Sequence, residues 1–482
     1  MQKKVSPSFV AFLILSTLVP WAAQANTFVI NEARDRVDYG ASGEGAAPEV
    51  TPDGICDVDL STPGLQCTFS EAIKEANANP GLDTIQFPTM TIEAAFSWYI
   101  PQSGTGAYRD NSYWVFTGPT QLVPVNPTDR LTLIGLRENP AGKYLLSINA
   151  GNSADSDPAS LTVLFRNVDI QEQRKITPVV VWPNSIFNFE NGSIHDNHEI
   201  GISGGGITAD HASVNISNSK IYNNDLWSGD GGAIFAHGGG LNLYNVSLFN
   251  NQVLRTGGAI AVWGTRVTAS NVTIAENHAS DICGGIDLNY NKSDYYGGLA
   301  PTQFNNVTIV NNVSNHGIGH NVCIQNESST PQVVDLKNSI ISSRESSGGT
   351  SCLGYFTNVD NSLENTTGCF APTSQRLTRS GVDINLSSLN LVDGTITPQS
   401  GSFAINAGDN RSCLSEDERK TIRENSDTNP CDAGAIEVAY TPPPPPPPPA
   451  STPPPSPPPP PPPAKGVRPG LLKTIMPFFF GK

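Results

Sequence analysis

A short phrase, Asn-x-x-(Ile/Leu), returns seven times between Asn167 and Ile341, at steps of 24, 27, 27, 26, 35 and 32 residues. Its members are Asn167/Ile170, Asn191/Ile194, Asn218/Ile221, Asn245/Leu248, Asn271/Ile274, Asn306/Ile309 and Asn338/Ile341. A return of this length marks a stacked fold, in which each unit buries its apolar side only against its neighbours. Four residues before each asparagine stand Val163, Phe187, Val214, Leu241, Val267, Thr302 and Val334, and two before it stand Phe165, Phe189, Ile216, Leu243, Ala269, Phe304 and Leu336. The residues between them are nearly all polar, and alternation of period two predicts half-buried strands.

A second strand follows the glycine pairs at 205–206, 231–232, 257–258 and 284–285. There Ile207, Ile234, Ile260 and Ile286 are predicted to point inward, followed two residues on by Ala209, Ala236, Val262 and Leu288. Coils of this size without helical periodicity predict an all-β fold, a right-handed parallel β-helix. An antiparallel sandwich would need hairpin turns and mirrored patterns, not one phrase repeated in one sense. Asn197, Asn224, Asn251, Asn277 and Asn312 form a further column, whose amides can bond along the stack at about 4.8 Å per coil. The sequons at Asn191, Asn215, Asn245, Asn271, Asn306 and Asn312 are thereby explained as turn and ladder positions.

Six segments are expected: a signal peptide at 1–25, an N-terminal cap at 26–125, the β-helix at 126–370, a C-terminal cap at 371–437, a proline-rich spacer at 438–465 and a basic, apolar tail at 466–482. The signal reading rests on Lys3 and Lys4, an apolar run from Phe9 to Val19, and Ala23-Gln24-Ala25. The cap should hold one amphipathic helix near Thr68–Ala78, with Phe69, Ala72, Ile73 and Ala76 on one face. Residues 371–437 should close the far end of the stack. From Pro442 to Pro463, 18 of 22 residues are proline, a stiff spacer of roughly 70 Å. The tail is too short to span a bilayer. It is read either as a contact for a membrane interface or an export or anchoring partner, or as a disordered end.

Export to an oxidising compartment makes four disulfides the expectation for eight cysteines. They are read as near neighbours: Cys56 with Cys67, Cys283 with Cys323, Cys352 with Cys369, and Cys413 with Cys431. Eight cysteines allow about 105 pairings, and adjacency is a preference among them. Net charge is −16; without Lys3 and Lys4 it is −18, and without the four tail cations the body is near −22. Such a body repels nucleic acid and anionic lipid, and disfavours polyanionic sugars unless calcium bridges them. A secreted, extracellular or cell-surface monomer is expected.

Several segments also carry a family likeness. Cys67-Thr68-Phe69-Ser70-Glu71-Ala72, after Gly54-Ile55-Cys56-Asp57, resembles the Cys-Ser-Leu-Arg-Glu-Ala start of many secreted bacterial β-helix proteins, keeping its Cys, Glu and Ala. The run 402–410, with Cys413 and then Cys431-Asp432-Ala433-Gly434-Ala435-Ile436-Glu437, is similar to the closing segment of choice-of-anchor Q domains. Gly231-Gly232-Ala233-Ile234 and Gly257-Gly258-Ala259-Ile260 resemble repeats of polymorphic outer-membrane proteins, with Ile221-x-x-Asn224 and Leu248-x-x-Asn251 in place of their Phe-x-x-Asn. The resemblance implies a pectin-lyase-like β-helix displayed at or beyond a bacterial surface, outer membrane included. It implies no agreed activity and yields no catalytic residue.

The outward columns of the second strand hold the candidate ligand face: Asp210, Phe235, His237, Trp263, Asp287 and Asn289. Two exposed aromatics beside carboxylates, an imidazole and an amide are what a sugar-binding face requires. Asp210 and Asp287 are three coils apart, about 14 Å at 4.8 Å per coil. A glycosidase pair needs roughly 5–9.5 Å, so hydrolysis by these two is excluded. Asp210 and His237 are close enough to bond, but no nucleophile stands opposite. A lyase would want Arg or Lys as base, and none joins these columns.

No metal centre is expected. His198 and His278 share a register three coils apart, too far for one zinc. A local set of His195, Asp196, His198 and Asp225 is the alternative to solvated turn histidines, and Asp230 the point where calcium would enter. The expected function is surface recognition or adhesion through a polysaccharide or host glycan. A polysaccharide lyase or hydrolase is the alternative, and a ligand-free envelope protein the third.

Overall fold

The computed structural model describes residues 25–33, 54–57, 64–79, 81–94, 112–135, 144–149, 161–199, 201, 203–291, 301–326, 332–343, 348–371, 379–382, 384–424, 426, 428–439 and 458–461. The signal segment up to residue 24, the apolar tail and most of the proline spacer lie outside them. The chain forms two units, Met1–Val438 and Ala439–Lys482. The first is a right-handed parallel β-helix. Among its described residues no helix is long and apolar enough to cross a membrane.

The central coils repeat one path. A long strand such as Ser213–Tyr222, Gly240–Phe249 or Arg266–Ala275 is followed by a two-residue strand such as Asp225–Leu226, Gln252–Val253 or His278–Ala279. After the glycine pair comes a four-residue strand, Ile234–His237, Ile260–Trp263 or Ile286–Asn289. Each class pairs with its own kind, in parallel and in register: Val214↔Leu241↔Val267, Asp225↔Gln252↔His278 and Ile207↔Ile234↔Ile260.

The repeated asparagine makes the corner of each coil. Asn167, Asn191, Asn218, Asn245, Asn271, Asn306 and Asn338 all have φ between 48° and 60°. This left-handed region is closed to most side chains, and asparagine tolerates it better than most. Five residues on, Asp196, Asn223, Asn250, Glu276 and Asn311 bend the chain again at φ 54–57°.

The next column is the predicted amide ladder. Asn197, Asn224, Asn251 and Asn277 each donate Nδ2 to the Oδ1 of the next asparagine, at 2.7–3.0 Å, ending the run on Asn312. Asn312 then donates to Asn321, which was not read from the sequence and ends the ladder on the Ser343 and Ser351 hydroxyls. These amides are buried. The turns need such partners, because buried N–H and C=O groups without them are costly.

The stack is longer than the 126–370 expected. Thr27–Val29 pairs with Asp83–Phe87, which pairs with Thr120–Pro124, so residues assigned to the cap already form coils. At the far end Leu363–Glu364 pairs with Arg379–Ser380. Helix Phe69–Ala78 covers the first end, with Thr68 Oγ1 accepting from Glu71 N at its start. Its Phe69 ring packs 4.8 Å from Trp114, and Phe116, Phe165 and Phe187 continue the aromatic core at 5.2 and 5.3 Å.

All four disulfides join near neighbours, as the spacing suggested. Cys56 bonds Cys67, Cys283 bonds Cys323, Cys352 bonds Cys369, and Cys413 bonds Cys431. Cys323 and Cys369 are wholly buried, as are Cys283 and Cys431, so they belong to the interior and offer no thiol to a ligand. The cysteines are staples of the stack, not site residues.

The expected C-terminal cap behaves differently. From Ile384 to Val438 it lies along the flank of the stack, not across its end. Ile384, Ile396, Ala404 and Ala433 bury Ala275, Val310, Ile340 and Leu363. The physical reason is that these outward positions are apolar and would otherwise face water. Polar pins fix the docking: Asn271 Nδ2 donates to Glu416 O, Asn305 Nδ2 to Ser412 O, and Ala435 N to Thr308 Oγ1. Arg423, almost wholly buried, bonds Glu437, Gly434 O and Asn271 Oδ1.

Candidate functional site

Of the six residues expected on one ligand face, the structure leaves three partly open. Asp210, His237 and Trp263 are half-buried. Phe235, Asp287 and Asn289 are only 8, 2 and 4% exposed, so they do not form the open platform read from alternation. The turn before each glycine pair folds over the first outward column. Thr256 Oγ1 donates to Asp287 Oδ2 at 2.7 Å, Gln325 Nε2 donates to Oδ1 at 2.7 Å, and Asn289 Nδ2 donates to Gln325 Oε1. The Phe235 ring stands edge-on to Trp263 at 5.0 Å. Asp287 registers with Thr208 only through Ala261 and Phe235, three register steps across four coils.

Asp210 and His237 do meet, with Nδ1 3.2 Å from Oδ1. A residue passed over in the sequence joins them. His211 Nδ1 lies 2.8 Å from the same carboxylate oxygen, and its ring is 4.6 Å from that of His237. An Asp-His pair with a histidine one coil on was the available signal.

The alternative metal set does not assemble. His195 pairs with Asp196 at 2.7 Å and His198 with Asp225 at 3.9 Å, without converging on one three-ligand centre. His278 is three register steps from His198 and bonds Asn315. Asp230 is buried with Arg255 Nε 3.6 Å from its Oδ1, so a cation already faces the site where calcium would enter.

An open concavity lies on another face. A groove of about 470 Å³ runs over the outer side of the long strands and is lined by Arg130, Asp169, Ser193, His195, Lys220 and Tyr222 among others. Asp169↔Ser193↔Lys220 and Gln171↔His195↔Tyr222 are register columns two and four residues past the repeated asparagine. Further along the same columns, Ser247, Thr273, Phe249 and Ala275 are buried beneath the docked C-terminal segment. Lys220 stands at the border, its Nζ donating to Val392 O at 2.8 Å.

The groove is ordered by a fork. Arg130 donates through Nε and Nη2 to the two oxygens of Asp169 at 2.8 and 2.6 Å, and Ser193 Oγ bonds the same carboxylate. Burial alone would raise the Asp169 carboxyl, but these donors and the charges of Arg130 and His195 outweigh it and hold it below its ordinary value. The Tyr222 phenol is raised, first by burial and then by the charges of Asp196 and Asp169. His195, Tyr222 and Phe249 stack face to face at 4.7 and 4.8 Å. Both faces of the Tyr222 ring are therefore occupied. The groove lining is polar and charged, with Arg130 and Lys220 set against the carboxylate of Asp169.

These features define a right-handed parallel β-helix carrying a lateral polar groove. No family model matches the chain, and no curated protein matches it. Among solved structures it is similar to the crystal structure of pectate lyase Pel9A, at 14% identity, over 87% of this chain and 97% of that one, with a TM-score of 0.48. That likeness adds nothing about chemistry.

Proposed function

We propose that the protein is an extracellular recognition module that holds an acidic polysaccharide strand in the groove between Arg130 and Lys220. The observation that carries this reading is local charge reversal. On a body near −22, the open groove built from the repeat presents Lys220 beside an Arg130–Asp169 pair that cancels, which leaves one uncompensated cation. Charge-assisted hydrogen bonds to carboxylates are the strong ones, and Lys220 keeps two protons beyond the one given to Val392 O. The four disulfides fit an oxidising compartment. The likeness of 67–72 and 431–437 to secreted bacterial surface β-helices supports surface display.

Lyase action on the same strand is the second reading, because this groove brings together Lys220, Arg130 and Tyr222, the basic and phenolic groups missing from the second-strand face. Binding to a panel of uronate-containing and neutral polysaccharides tests the proposal. Lys220→Ala should weaken binding to the acidic ligands by about tenfold or more, and Trp263→Ala should leave it unchanged. Equal binding by wild type and Lys220→Ala, or loss on Trp263→Ala, overturns it. Release of unsaturated uronate from the bound polymer would replace recognition by the lyase reading.

A further inference from the structure

We propose that Asp210, His211 and His237 form a binding site for a divalent first-row transition metal, with zinc the best match to the donors, which ties two adjacent coils together outside the groove. Each residue offers one ligand atom, and the three atoms lie within 4.8 Å of one another. Asp210 and His211 sit at the end of one coil's strand, and His237 is in register with Asp210 on the next coil. In tetrahedral zinc, bonds of 2.0–2.2 Å put neighbouring ligand atoms about 3.3 Å apart. The two nitrogens stand 2.8 and 3.2 Å from Asp210 Oδ1, so small side-chain rotations open the space for an ion. A carboxylate with two imidazoles is a borderline-soft donor set, suited to zinc, copper or nickel and poorly suited to calcium or magnesium.

The backbone makes room for this arrangement. His211 takes φ +47°, where the corresponding turns of the neighbouring coils carry Asn184, Gly238 and Gly264 at 58–65°. Any Cβ on Gly238 would fall 2.9 Å from the His211 ring, so glycine there is what lets the imidazole lie over the next coil towards His237. The side chains of Asp210, His211 and His237 are 38, 40 and 21% exposed, which gives an ion an entry path and leaves the remaining coordination position to water.

The test is equilibrium dialysis of the full chain, prepared without a histidine tag, against zinc, with metal counted by mass spectrometry and cobalt as a spectroscopic substitute. One zinc per chain is expected, with tetrahedral cobalt absorption. His237→Ala and His211→Ala should each weaken binding by at least about tenfold, while His198→Ala and His316→Ala, at separate His–Asp pairs, should not. Asp210→Asn keeps side-chain shape and should also weaken binding, with circular dichroism showing that the fold is intact. Absence of stoichiometric zinc, or zinc retained by both histidine variants, overturns the proposal.

Discussion

Replacing Asn251 by alanine tests whether the buried ladder, and not the alternating strands alone, holds the turns of this helix. Asn251 is fully buried, and its Nδ2 donates to Ile221 O and to Asn277 Oδ1, both at 3.0 Å. Its Oδ1 accepts from Asn224 N at 3.2 Å and from Asn224 Nδ2 at 2.9 Å. Alanine removes that acceptor, so the buried Asn224 N–H loses its side-chain partner at a cost of about 1–3 kcal/mol, and two lost amide bonds add about 0.5–1.5 kcal/mol each. The expected destabilisation is about 2–6 kcal/mol. Asn215 provides the control: it bonds Asn188 and Asn242 in an outer, half-buried ladder where water can replace the amide. Asn215→Ala should cost about 1 kcal/mol or less. Guanidinium unfolding with the disulfides intact measures both, and hydrogen exchange at the Asn224 amide reports the local opening. Equal midpoints for the two variants would refute the reasoning.

Two further outcomes follow from close contacts and from burial. A Cβ at Gly258 would lie 1.9 Å from Gly284 O and 2.8 Å from His278 N, so Gly258→Ala should cost about 3 kcal/mol or more. Gly348→Ala, with open space but φ +58°, should cost about 1 kcal/mol, and paired thermal melts compare them. Glu418 inserts its carboxyl between the Ser247 and Thr273 hydroxyls; burial pushes it up from 4.5 to about 8, with the charges of Asp393 and Asp417 adding to the rise. The native state therefore holds this proton more tightly than the unfolded chain, so its stabilisation is complete below 4.5 and lost as pH rises through about 8. Amide protection across the described residues of 384–438, taken relative to each amide's intrinsic base-catalysed rate, should fall over that window in wild type but not in Glu418→Gln; an identical pH slope would sink the assignment.

The interior was legible because it obeys local rules. Val163, Phe187, Val214 and Leu241 alternate with polar neighbours, and each column is buried as the period requires. The amide ladder was legible for the same reason up to Asn312. Asn321 was not, because it enters the column from only nine residues further on, breaking the period. The exterior was harder. Phe235 and Asp287 have the alternation of solvent-facing residues, yet Thr256 and its turn cover that column. Coverage depends on what folds over a strand, and neighbouring residues in the strand do not encode it.

One signal for the groove nevertheless stands in the repeat itself. Two residues past the repeated asparagine, the column reads Asp169, Ser193, Lys220, then Ser247, Thr273 and Thr308. Four residues past it, Gln171, His195 and Tyr222 give way to Phe249, Ala275 and Val310. A solvated column has no physical reason to turn apolar midway, so the change marks the coil where another segment takes over. From Ser247 onward the hydroxyls bond that segment: Ser247 to Asp393 O, Thr273 to Glu418, and Thr308 from Ala435 N. Before it, charged groups remain and water keeps access. The border falls at Lys220, which bonds the docked chain through Val392 O and lines the groove at the same time. Because that one side chain belongs to both, the docked segment sets the position of the cation that the acidic strand is proposed to meet.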